Sequence, residues 1–131
     1  MVNSPDVDRW VRRAEEDVRA AEELFRADRR GLAGPACFHC QQAAEKYLKA
    51  CLVRHETRFP KTHDLEQLVQ LCRPLAEEFE QLAEATARLQ PYAVNARYGE
   101  APRTSQAVEQ ALAQMRQVRS FCRTFLQLQD Q

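Results

Sequence analysis

The sequence predicts an all-α fold, an antiparallel up-down helical bundle of four main helices plus a short extra helix. Three observations carry that expectation. The chain is rich in Ala, Glu, Gln, Leu and Arg, with only three Gly and six Pro among 131 residues, which favours helix. Apolar residues recur at spacings of three and four within each long segment, the period of one helical face. Pro and Gly gather between those segments rather than inside them, where they would break the hydrogen-bond ladder. The whole reads as a single helical domain, 1–131, long enough to bury a core of its own.

The first helix is expected over Pro5 to Ala27. Ser4-Pro5-Asp6 supplies a cap, a residue suited to the first position and a negative charge at the positive end. Its apolar stripe runs Val7, Trp10, Val11, Ala14, Val18, Ala21, Leu24 and Phe25, and the charged remainder reads as a solvated surface. Asp28 to Gly34 is a short turn, so the second helix returns antiparallel. That helix, Ala36 to His55, contains neither Gly nor Pro. Gly34-Pro35 precedes it, with Pro35 suited to the first helical position. Cys37, Cys40, Ala43, Ala44, Tyr47, Leu48 and Cys51 form its stripe, and small residues there let neighbours approach closely, which marks it as the central helix.

Glu56 to Thr62 is a loop fixed by Pro60. Thr62 is the expected cap of a short third helix with the stripe Leu65, Leu68, Val69 and Leu71 or Cys72. Arg73-Pro74 interrupts it. A fourth helix carries Leu75, Phe79, Leu82, Ala85 or Thr86, and Leu89, and stops before Pro91. Pro91 to Arg103 is the longest irregular stretch, and its two Tyr and its Arg97 stand out, since loops held by a rigid scaffold often carry function. Thr104-Ser105 caps the last helix, which runs to about Leu128 with the stripe Val108, Ala111, Leu112, Met115, Val118 or Arg119, Cys122, Phe125 and Leu126. Trp10, Phe25 and Phe125 are expected in the core on pattern alone.

Composition excludes several classes. Nineteen basic residues balance nineteen acidic ones, which argues against a general nucleic-acid coat. No stretch approaches the roughly 18 apolar residues of a membrane span, and the N-terminus lacks a signal pattern, so no membrane contact is expected and the cytoplasm is the default. Five Cys without secretory context argue against a disulfide framework. Cys37-x-x-Cys40 with His39 offers only a partial zinc set, and the two Cys sit on the apolar face, so they read as small hydrophobes. No metal and no cofactor are expected.

The motifs are more specific than the composition. Trp10 with Ala14-Glu15-Glu16-Asp17, then Cys37-Phe38-His39-Cys40-Gln41-Gln42-Ala43-Ala44-Glu45-Lys46-Tyr47-Leu48-Lys49-Ala50, then Pro60-Lys61-Thr62-His63-Asp64-Leu65, then Ala96-Arg97-Tyr98 follow in this order. Together they closely resemble the HEPN domain, over almost the full chain. The resemblance implies a bundle of four main helices with a short additional one, and a homodimer. It also implies a partner, a minimal nucleotidyltransferase, with which the chain would form a toxin–antitoxin-type system as the toxin-like or regulatory half. Many members of the superfamily are metal-independent ribonucleases using Arg-x(4–6)-His near the start of the last main helix; others serve as binding or assembly modules.

This sequence departs from the nuclease pattern, because no His follows Arg97 and the last His is His63. Arg58 and His63 fit Arg-x4-His by spacing, but in the loop before the third helix. His could act there as base and acid on RNA while Arg clamps the phosphate. The plain alternative is that His63 packs at a helix N-terminus. Gln42, Lys46 and Lys49 lie together on the central helix, and with Arg97 and Tyr98 they could hold a nucleotide, cations on phosphate and Tyr stacked on the base. Against this, Glu45 is placed to pair with Lys49 one turn on, on a wet surface. A regulatory partner, a ribonuclease using Arg58 and His63, and a non-catalytic helical dimerisation module are the three readings the sequence leaves.

Overall fold

A computed structural model describes residues 5–94 and 102–129. All regular structure among them is helical. α1 spans Pro5–Ala27, α2 Ala33–Arg54, α3 Leu65–Cys72, α4 Ala83–Leu89 and α5 Ser105–Phe125, with 3-10 turns at Arg30–Leu32, Glu77–Leu82 and Gln90–Ala93. No described helix is long and apolar enough to cross a membrane.

Side-chain pairs give the directions. Trp10 lies against Lys49, and Asp17 binds Lys46, so α1 and α2 are antiparallel. Glu15 binds Arg119 and Glu22 binds Arg116, so α1 and α5 are antiparallel too. Phe79 stacks on Phe121 and Phe125 while Gln117 reaches the Gln81 carbonyl, which sets α4 and its leading 3-10 turn antiparallel to α5. The short α3 is the extra helix and docks on α2, with the Cys72 thiol 3.8 Å from the Leu48 carbonyl.

α2 is the centre, with sixteen of its 22 residues buried. Ala36, Ala43, Ala44 and Ala50 are fully enclosed, as the close approach of neighbouring helices requires. The helix begins three residues earlier than expected, at Ala33, and Pro35 sits inside its first turn. That costs nothing, because a first-turn N–H has no intrahelical acceptor. All five Cys are free thiols buried in the core, and burial pushes the Cys37 thiol up to about 11. Trp10, Phe25 and Phe125, expected inside, are only half-buried. The large residues that fill the centre are Tyr47, Leu48, Leu52, Phe79, Leu112 and Met115.

The expected fourth helix is split. Glu77–Leu82 is a 3-10 turn, and only Ala83–Leu89 is α. A period of three aligns Phe79 with Leu82 toward the core and leaves Glu77, Glu78 and Glu80 outside, after which Ala85, Thr86 and Leu89 follow the α period. α5 ends at Phe125 rather than Leu128, because Gln127 turns left-handed at φ 60°.

The cap of α3 also differs. Asp64, not Thr62, caps it, its Oδ1 accepting from the Glu66 and Gln67 amides at 3.0 and 3.3 Å. Thr62 Oγ1 instead accepts from the Asp64 amide at 3.1 Å and holds the capping residue. Asp64→Ala should therefore cost about 1 kcal/mol in urea denaturation. Thr62→Ala should cost less, and the reverse order would return the cap to Thr62.

Candidate functional site

The polar edge of α2 carries two clusters built alike. In each, a nearly buried carboxylate holds one His and one Lys. Glu45, whose side chain is only 4% exposed, bonds Lys49 Nζ through Oε2 at 3.0 Å and His63 Nδ1 through Oε1 at 2.9 Å. Asp17 on α1 bonds His39 Nδ1 through Oδ1 at 2.8 Å and Lys46 Nζ through Oδ2 at 2.5 Å.

The Glu45 cluster is assembled from three parts of the chain. α2 supplies Glu45 and Lys49, four residues and one turn apart. The loop before α3 supplies His63, whose backbone carbonyl accepts from Gln41 Nε2 at 3.2 Å. α1 supplies Trp10, which with Phe59 forms an edge-on aromatic pair 6.3 Å apart. Lys49 Nζ lies 5.5 Å from the Trp10 ring and 5.8 Å from that of Phe59, so two ring faces and one carboxylate surround an ammonium with 8% of its side chain exposed. A carboxylate only accepts, so both His Nδ1 atoms donate and both Nε2 atoms carry the lone pair whenever the ring is neutral. The His63 side chain is 73% exposed, and its Nε2 has no hydrogen-bond partner among the described residues.

The residues proposed from sequence fall into three groups. Lys46 and Lys49 do lie together with Gln42, but neither ammonium is free. Lys46 is bound to Asp17 and Lys49 to Glu45, and the Gln42 amide donates to the Gln41 side-chain carbonyl at 2.8 Å. The Glu45–Lys49 pair expected on a wet surface is buried. Arg97 and Tyr98 lie outside the described residues. Arg58 is exposed and makes no hydrogen bond or ion pair among the described residues, in the same loop as His63.

Sequence reasoning missed Asp17 and a third cluster around Glu15, and weighed His39 only as part of a partial zinc set with Cys37 and Cys40, where the structure pairs it with Asp17. Glu15 takes both oxygens to Arg119, at 2.7 and 3.1 Å, and also accepts from the Tyr47 hydroxyl. Arg123 donates to that hydroxyl at 3.1 Å and to the Gln129 carbonyl. Burial pushes the Glu15 carboxyl up, but the Arg119 and Tyr47 hydrogen bonds and the nearby Arg119 and Arg123 charges outweigh it and hold it below the usual range. Burial, then the bond to Glu15, pushes the Tyr47 phenol up. A cleft of about 350 Å³ between α1 and α5 opens beside this cluster, lined by Glu15, Val18, Arg19, Glu22, Arg116 and Arg119. The missed signal is positional: Asp17 lies between Ala14, Val18 and Ala21 on the core side of α1, hidden in a run of mixed charge.

The family described as HEPN domain matches residues 7–125. No curated protein matches the chain. The crystal structure of TT1696 from Thermus thermophilus superposes with a TM-score of 0.75, over 93% of this chain and 99% of that one, at 24% identity. At that identity the likeness is one of fold.

Proposed function

The chain belongs to the HEPN domain family, and from that premise we propose that it is the toxin-like or regulatory half of a two-protein system completed by a minimal nucleotidyltransferase. One observation supports the regulatory reading over a nuclease or a nucleotide pocket. The Lys side chains of the α2 edge are spent on carboxylates of the same bundle, and no His stands after Arg97 to complete the family's nuclease motif. In this reading the protein acts as a homodimer and through its partner. Purifying the tagged chain from its source cells should bring down a minimal nucleotidyltransferase, and overproduction of the chain alone should slow growth that the partner restores. Failure of the nucleotidyltransferase to co-purify overturns the reading.

A second reading has its own observation. His63 is anchored through Nδ1 to a buried carboxylate and is largely exposed, and Arg58 stands unpaired among the described residues in the same loop. These are the parts of a metal-independent ribonuclease: a base and acid on the ribose hydroxyl and leaving oxygen, and a cation for the phosphate. RNA cleavage in EDTA should then be lost in His63→Ala. Cleavage that survives His63→Ala removes this site, and no cleavage by the wild type removes the activity.

A further inference from the structure

We propose that His39 is a phosphoryl-acceptor site, a carboxylate-anchored imidazole whose Nε2 takes a phosphoryl group from a small donor of the phosphoramidate class. Neither reading above uses this residue. Asp17 anchors the ring from α1 at 2.8 Å, fixing the proton on Nδ1 and leaving the lone pair on Nε2. Nε2 has no hydrogen-bond partner among the described residues and is not among the enclosed polar atoms, so it opens to solvent. The side chain is 32% exposed, enough for a small donor to reach the ring. Phe38 packs edge-on at 5.6 Å and limits rotation.

The Asp17 carboxylate is shared between the ring and an ammonium. Lys46 is held on the other Asp17 oxygen, so an ammonium stands on the same carboxylate as the ring. A metal is a poorer fit, since the described residues contain no group of three ligating side chains. The step balances without any oxidant. The Nε2 lone pair forms a bond to phosphorus as the donor's own phosphorus–nitrogen bond breaks, and the departing amine takes its proton from water. The Nδ1 proton stays in place, and the Asp17 carboxylate faces the positive charge the ring acquires.

The chain carries its own control. His55 has no carboxylate partner among the described residues and stacks on Phe125 at 5.1 Å. The wild-type protein treated with potassium phosphoramidate, with labelled peptides mapped by mass spectrometry, should modify His39 about tenfold faster than His55, and the label should be lost in acid. Asp17→Asn, checked for native circular dichroism, should bring the His39 rate down by a similar factor. Equal labelling of His39 and His55 in the wild-type protein overturns the proposal and does not depend on any variant folding. An unchanged His39 rate in folded Asp17→Asn overturns it as well. Neither outcome touches the partner reading, which rests on co-purification.

Discussion

Replacing Glu45 with Ala should destabilise the fold by about 3–5 kcal/mol, the range for breaking a buried ion pair from one side. The variant leaves the Lys49 ammonium with 8% exposure and no carboxylate. It also releases His63 from its anchor and removes packing from a buried position of α2. Two effects pull the value toward the lower end. The Trp10 and Phe59 rings continue to attract the ammonium, by about 1–2 kcal/mol. The Lys stem can also extend toward water. Combining Glu45→Leu with Lys49→Met should cost much less than Glu45→Ala, because an apolar pair of similar volume needs no solvent. Urea denaturation of the wild type and the two variants measures this. A loss below about 1 kcal/mol in Glu45→Ala would mean that the pair is solvated after all, as an exposed pair is worth no more than that.

The contrast between the two clusters on α2 and their reading from sequence has a physical origin. Helix periodicity is local, so α1 is legible with its bounds, and so are the small-residue face of α2 and the stripe of α5. The pairing of Glu45 with Lys49 is legible for the same reason, since it needs only one helical turn. Its burial is not, because that depends on Trp10 from α1 and Phe59 from the loop closing over it. His63 illustrates the limit. Thr62-His63-Asp64 announces a helix start, yet nothing in the three residues says that the ring turns back to a carboxylate eighteen positions earlier. The cap is ambiguous in sequence because Thr62 and Asp64 are both good caps two residues apart, and the structure uses one to brace the other. Periodicity places Trp10 and Phe125 too deep because a helix face wider than the core puts its edge residues at the rim, where aromatic rings stay half-wet.

Glu15→Gln should destabilise the fold by about 1.5–3 kcal/mol at neutral pH, the worth of hydrogen bonds to a charged group. Glu15 binds α1 to α5 through Arg119, and through Tyr47 it reaches Arg123, a nearly buried guanidinium whose Nε has no partner among the described residues. The carboxylate is the negative charge that both cations of this cluster share. Its charge dependence gives the prediction a second readout. The folded Glu15 carboxyl is held below its ordinary value, so the folded state binds its proton less readily than the unfolded chain does. The stability it contributes is therefore fully present above the unfolded range, about pH 4.3, and is lost as pH falls through the lower folded value. Urea curves of wild type and Glu15→Gln at stepped pH should run parallel from neutrality down to about pH 5 and converge below about pH 4. A gap that persists unchanged into acid would assign the cluster's contribution to packing rather than charge. A gap already absent at neutral pH would show that Arg119 and Arg123 find their solvation without Glu15. Tyr47→Phe separates the two links, since it keeps the Arg119 bonds but leaves Arg123 without its hydroxyl acceptor.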